Sequence, residues 1–163
     1  MYNVFCDWKR NKGNMKSKII LLLFRINQIA GFNKLLYIIM LPYLVFYRIL
    51  VEWILGVEIP WKTKIGKGLV IHHGQALVIN DKCVLGENIT LRNSTTIGVK
   101  KVNGINSICP IIGNNVDIGA NVCIIGPITI GNNVIIGAGS VVVKSFPDNC
   151  VIAGNPAKII REL

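Results

Sequence analysis

Two adjacent histidines are the side chains best suited to chemistry in this sequence. His72 and His73 are the only histidines of the 163-residue chain, and they lie in the segment IHHGQA. Histidine titrates near neutral pH, so a positioned imidazole can act as a general base and speed proton transfer by roughly 10²–10⁴-fold. Neighbouring side chains of an extended segment face opposite ways, so we expect at most one of the two to point into a given cleft. On these residues alone, two solvated histidines without a catalytic role are the alternative.

The five cysteines are the rival reactive groups. They are odd in number, no C-x-x-C motif occurs and no secretory signal opens the sequence, so we expect free thiols in a reducing cytoplasm. A catalytic cysteine is disfavoured because no third histidine could activate it independently. Two adjacent histidines also cannot supply a tetrahedral metal site, so we expect no metal.

A six-residue repeat organises the second half of the chain. Every sixth residue from 112 to 142 is aliphatic, and a second row lies four residues further on. The first row is Ile112, Ile118, Ile124, Ile130, Ile136 and Val142, and the second is Val116, Val122, Ile128, Val134, Ser140 and Phe146. The same step runs upstream through Ile79, Leu85, Leu91 and Ile97, and in a shifted phase through Ile65 and Ile71. A unit of this length suits one short strand and a corner, so three units close a coil and the coils stack as a parallel β-helix.

The first half of the chain has a different composition and predicts helices. Eleven of the twelve aromatic residues lie at or before Trp61. We predict one helix from Lys18 to Ala30, capped by Ser17, and a second that is capped by Asn33 and ends at Leu55. The predicted division is a helical region over 1–57 and a β-helix over 58–163. An excursion loop over 99–110 and a C-terminal tail belong to the second part.

The net charge of +10 favours anionic partners. The longest uncharged apolar run, 35–47, is shorter than the ~20 residues of a membrane-spanning helix, so we expect no span. The helices then pack on the core or on a neighbouring subunit, or bind anionic lipid peripherally. Nucleic acid is disfavoured because the aromatic residues do not alternate with basic ones on a strand.

Two segments of the second half resemble the hexapeptide acyltransferases. The stretch EIPWKTKIGKGLVIHHGQALVIN, residues 58–80, and the ending AGNPAKIIREL are similar to serine acetyltransferases. The short IHHG form is closer still to colanic-acid and capsular polysaccharide O-acetyltransferases. This resemblance covers about two thirds of the chain. It implies a left-handed β-helix, although the usual rule for parallel crossovers favours a right-handed path. It also implies acetyl-CoA as co-substrate and a homotrimer with active sites between subunits.

The resemblance also assigns roles to residues. It implies that His73 is the base, and that Glu58, in place of the family's aspartate, orients the imidazole. It places Ala120 and Ala138 along the pantetheine arm and Lys144 and Lys158 near the CoA phosphates. At 109–110 the sequence has Cys-Pro where serine acetyltransferases have His-Pro. The implied acceptor is a sugar hydroxyl in surface polysaccharide synthesis; L-serine and a non-catalytic binding module are the alternatives.

Overall fold

The computed structural model describes residues 2–102 and 104–163, in which a helical segment precedes a stack of short strands. Helix α1 covers Met15–Gln28, and a 3₁₀ turn follows over Ile29–Gly31. Helix α2 covers Lys34–Tyr47 and is continued by a π-helical stretch over Arg48–Ile54.

Both helices begin at asparagine caps. Asn33 Oδ1 accepts a hydrogen bond from the backbone N–H of Leu36 at 2.8 Å, as predicted. In α1 the cap is Asn14, whose Oδ1 accepts from the backbone N–H of Ser17 at 3.0 Å. The predicted Ser17 cap is therefore wrong. The Ser17 hydroxyl is buried and donates to Asn11 Oδ1 at 2.7 Å, so it serves tertiary packing instead.

The strands form three parallel sheets, which are the faces of a prism. Face A holds β1 (Val57–Glu58), β4 (Leu77–Ile79), β7 (Thr96–Gly98), β12 (Cys123–Ile125) and β15 (Val141–Val142). Face B holds β2 (Lys64–Ile65), β5 (Val84–Leu85), β10 (Ile111–Ile112) and β13 (Thr129–Ile130). Face C holds β3 (Val70–His72), β6 (Thr90–Arg92), β11 (Asp117–Ile118), β14 (Ile135–Ile136), β16 (Cys150–Gly154) and β17 (Ala157–Glu162). Only β17 runs antiparallel to its neighbour in these sheets.

The chain visits faces A, B and C in turn and makes about five turns of a left-handed β-helix. In the regular coils a residue pairs with the one 18 positions later, as Ile111 does with Thr129 and Cys123 with Val141. The six aliphatic residues of the first repeat row are at most 1% exposed and fill the interior. The fold class predicted from the repeat and the resemblance is confirmed.

Asparagines line the corner between faces B and C. Asn88, Asn115, Asn133 and Asn149 all have φ between +54° and +59°, a left-handed conformation that asparagine tolerates. Their amides also hydrogen-bond from coil to coil, at 2.8–3.0 Å. This ladder satisfies the side chains and keeps the coils in register.

The N-terminal region covers the open edge of the first coil. An uncovered strand edge presents unpaired carbonyls that attract other chains. Here Arg25 donates to the carbonyls of Ile65 and Gly66, and Asn11 donates to that of Leu69 at 2.8 Å. Asp7 forms a buried ion pair with Arg25 at 2.8 Å. The helical segment is therefore a cap whose polar side chains replace the missing neighbouring strand.

The predicted excursion leaves the prism between face A and face B. Strands β8 (Lys101–Val102) and β9 (Ile105–Asn106) pair antiparallel and form a hairpin. Strand partners on either side of the excursion, such as Val84 and Ile111, are 27 positions apart in sequence. The excursion therefore adds nine residues to a regular coil of 18. Asn103 of this segment lies outside the described residues.

Candidate functional site

His73, the first predicted site residue, lies in an enlarged corner between faces C and A. Residues paired on neighbouring strands across 72–77 are 20 positions apart in sequence, as Val70 and Thr90 are, whereas Val78 and Thr96 beyond this corner are 18 positions apart. The two extra residues explain the shift of repeat phase between Ile71 and Ile79. His73 has φ +66° within this corner, and such a conformation is uncommon outside glycine. The enlarged corner lifts the His73 segment out of the regular lattice.

Both histidines border one cavity beside this corner. It has a volume of about 330 Å³ and lies between the corner and the N-terminal end of α1. Its lining includes Lys16, Ser17, Ile71 and Gln75 as well as His72 and His73. The positive φ of His73 ends the strand alternation at this residue. The expectation that at most one of the two side chains points into a given cleft stays a prediction.

The backbone of His73 is held by two side chains. Lys16 Nζ donates to the His73 carbonyl at 3.4 Å. The Gln75 amide, in the orientation that satisfies both its groups, donates to the same carbonyl and accepts from Lys16 Nζ at 2.9 Å. The imidazole-bearing residue is therefore anchored through its carbonyl, while the residue itself is exposed.

Glu58 lies next to this corner on the first strand of face A. A Cβ added to Gly74 would lie 3.3 Å from Cγ2 of Val57, so the corner packs on the residue that precedes Glu58. The ion pairs of the described chain do not include one between Glu58 and His73. Glu58 is exposed and borders a cavity of about 370 Å³ and another of about 320 Å³. Its orienting role stays a prediction.

Ala120 and Ala138 lie on the same C–A corner as His73. Backbone hydrogen bonds follow this corner from Ser94 to Gln75 and from Gly139 to Ala120, at 2.8 Å each. Ala120 is thus about two coils, roughly 10 Å, from the enlarged corner, and Ala138 is one coil further. The order along this corner is therefore His73, Ala120 and Ala138, so the two alanines lie on the edge that begins at the enlarged corner.

The two predicted phosphate-binding lysines lie apart. Lys158 on β17 pairs with Ala153 of β16, close to the end of the C–A corner. Lys144 follows β15 at the A–B corner, where its Nζ lies 5.5 Å from the centre of the Phe146 ring. Within one chain the structure brings Lys158, but not Lys144, towards the edge that carries the two alanines.

The thiols are poorly suited to nucleophilic chemistry. Burial raises the pKa of Cys83, and to a smaller degree the pKa of Cys123 and of Cys150, so these groups stay protonated at neutral pH. Cys109 is buried, and its Sγ lies 3.1 Å from Asn80 Oδ1. The departure from the family's His-Pro pair therefore places a buried thiol at this position.

Comparisons with known proteins decide the family. A family model described as bacterial transferase hexapeptide (six repeats) matches residues 109–144. WcaB of Escherichia coli K12, whose name describes a colanic acid biosynthesis acetyltransferase, is 50% identical over 118 residues, which make up 72% of each protein. The chain belongs to the hexapeptide-repeat acetyltransferases.

Solved serine acetyltransferases share the architecture of this acetyltransferase. The Neisseria gonorrhoeae enzyme is 31% identical with a TM-score of 0.79, over 98% of this chain and 64% of that one. The Brucella abortus enzyme, solved in complex with coenzyme A, is 26% identical with a TM-score of 0.79, over 98% of this chain and 66% of that one. This acetyltransferase therefore spans about two thirds of the length of those structures.

One cavity of the acetyltransferase was not predicted from the sequence. The 370 Å³ cavity beside Glu58 lies between α2 and the first coils, and aromatic and acidic side chains line it. They include Tyr37, Tyr47, Trp61, Glu52 and Asp81. Burial, with a smaller contribution from nearby Glu58, raises the pKa of Glu52 against the opposing effect of Arg48. No local motif marks these residues, since helix packing assembles them from distant parts of the sequence.

Proposed function

We propose that the protein transfers the acetyl group of acetyl-CoA to a hydroxyl of a sugar in surface polysaccharide synthesis. The observation that carries the proposal is the C–A corner, where exposed His73 and the alanines Ala120 and Ala138 lie along one edge. The likeness to a coenzyme A complex supports the donor. Identity with WcaB over 72% of both chains supports the polysaccharide context.

The proposed reaction is a direct transfer. His73 takes the proton of the acceptor hydroxyl while that oxygen attacks the acetyl carbonyl. Backbone N–H groups stabilise the negative charge on the carbonyl oxygen. The C–S bond of the thioester then breaks, and the proton on His73 passes to the CoA thiolate. Glu58 holds the imidazole in the tautomer that can accept the proton, and no acyl-enzyme or metal is needed.

The cavity beside Glu58 supports a sugar acceptor. Aromatic faces pack against apolar ligand surfaces, while carboxylates accept hydrogen bonds from hydroxyl groups, and this cavity offers both. L-serine is the second candidate, and the similarity to serine acetyltransferase structures favours it.

We further propose that the acetyltransferase forms a cytoplasmic homotrimer with each active site between neighbouring subunits. The flat prism faces support this arrangement, and so does the exposure of His73 and Glu58 in the single chain. Unpaired cysteines fit a reducing compartment.

Enlarging Ala138 is expected to weaken binding of acetyl-CoA. An A138M side chain would stand between the pantetheine arm and the backbone of the corner, and we expect the KM for acetyl-CoA to rise about tenfold. Steady-state kinetics with varied acetyl-CoA measure this change. T129M, which adds bulk to exposed face B, is the matched control and is expected to keep the wild-type KM. Equal KM values for A138M and the wild type would contradict the assigned edge.

The acceptor is tested by following thiol release from acetyl-CoA. Nucleotide-linked or lipid-linked sugars are expected to stimulate release well above the rate in water, and L-serine is not. Stimulation by L-serine alone would replace the sugar proposal with the second candidate. No release with any acceptor, together with no binding of coenzyme A, would indicate a non-catalytic module.

A further inference from the structure

Helix α2 and the stretch that follows it expose a continuous apolar face. We call this face the outer stripe. It comprises Leu35, Ile38, Ile39, Pro42, Val45, Phe46, Ile49 and Trp53. The residues recur at helical spacing, so they lie on one side of the helix. Leu35 is 68% exposed and Trp53 is 71% exposed. A contiguous exposed surface of this kind marks an interaction site.

The opposite side of the same helix is fixed to the β-helix. Tyr47 and Val51 are at most 2% exposed, and the Tyr47 hydroxyl donates to the carbonyl of Ile59 at 2.9 Å. The uncharged run of this helix, 35–47, is too short to span a membrane, but the whole segment Lys34–Ile54, with Arg48 and Glu52 included, has 21 residues and is long and apolar enough by length and composition. A spanning position would remove Tyr47 and Val51 from the core. The attached helix can instead lie parallel to a bilayer with the outer stripe in the interface.

The charge of the N-terminal region selects the partner. Exposed lysines lie at the start of this region and of its helices: Lys9 and Lys12 precede α1, Lys16 lies in the first turn of α1, and Lys34 begins α2. The acidic groups of the same region are already engaged, because Asp7 pairs with buried Arg25 and Glu52 lies 3.4 Å from Arg48. Anionic lipid head groups would compensate the lysines. A two-fold contact with a second copy would instead bring identical basic surfaces together.

We propose that the outer stripe docks this protein on the surface of an anionic lipid bilayer, with α2 lying in the interfacial plane. This inference goes beyond the acetyl transfer and does not depend on it, because binding is measured without turnover.

The test is sedimentation of the full chain with phosphatidylcholine vesicles, with and without about a third phosphatidylglycerol. Wild-type protein is expected to pellet with the anionic vesicles and to be released by about 1 M salt, which shortens the screening length to about 3 Å. Recovery in the supernatant with anionic vesicles at low salt would overturn the proposal.

Two double variants separate the outer stripe from general stickiness. I39S/W53S is expected to bind the anionic vesicles at least about tenfold more weakly, because two exposed apolar anchors are lost. I108S/I160S removes side chains that are 76% and 64% exposed outside the stripe, and it should bind like the wild type. Equal loss in both variants would overturn the proposal. The proposal would also be overturned if I39S/W53S bound the vesicles as well as the wild type. It would be overturned as well if the wild type did not bind vesicles and light scattering gave a smaller mass for I39S/W53S than for the wild type, since the stripe would then join copies of the chain.

Discussion

Replacing His73 with alanine is expected to lower kcat for acetyl transfer by roughly 10²–10⁴-fold, the contribution of a positioned general base. The reason is that water must then accept the proton of the attacking hydroxyl. His73 lies at the enlarged corner with its carbonyl bound by Lys16, so truncation of the exposed side chain should leave the corner intact. Rates at saturating acetyl-CoA and acceptor measure the loss.

His72→Ala is the matched control for this prediction. His72 is the next residue, is also exposed and borders the same cavity, but it ends strand β3 opposite Arg92 on face C. We expect H72A to keep a kcat within a few-fold of the wild type, while H73A leaves the melting temperature unchanged. A larger loss in H72A than in H73A would transfer the role of base to the neighbouring residue.

Replacing Arg25 with methionine is expected to destabilise the fold by about 3–5 kcal/mol, because Asp7 is left as a buried charge without its partner. The substitution also removes donors from the carbonyls of Ile65 and Gly66. For a chain of this size we expect the melting temperature to fall by roughly 6–20 °C. Thermal unfolding followed by circular dichroism measures the change, and light scattering detects association through the uncovered edge.

The exposed ion pair of Lys67 and Glu87 supplies the comparison. Its Nζ and Oε2 atoms lie 3.5 Å apart with both side chains largely in solvent. K67A is expected to cost at most about 1 kcal/mol. If R25M and K67A melted at the same temperature, the cap would not contribute to stability in the way its contacts indicate.

The repeat lattice could be predicted from the sequence because each position has a single local requirement. Ile112 and its successors had to be aliphatic to fill a narrow interior, and they are buried at the expected step. The asparagines of the B–C corner adopt a left-handed backbone, which this residue type tolerates, so their identity is also informative at short range. Hydrophobic periodicity and turn chemistry are both readable at short range.

The cap and the cavities could not be predicted, because their residues meet only through tertiary packing. Asp7, Arg25 and Leu69 are separated by tens of residues, yet one carboxylate serves both of its partners. The Ser17 cap was wrong for a more local reason: the hydroxyl of Ser17 donates to buried Asn11, six residues earlier, and Asn14 caps the helix. The structure places His73 and Ala120 on one corner, and their roles stay predictions. The relation of Glu58 to the imidazole depends on side-chain positions that spacing does not set.

The 18-residue register also limits how proteins of this architecture can change length. A whole coil can be added or deleted without disturbing its neighbours, since each coil bonds only to the ones above and below. Any other insertion has to bulge outward at a vertex, as residues 72–77 and 99–110 do here. New substrate contacts can therefore arise at these two vertices while the rest of the scaffold stays unaltered.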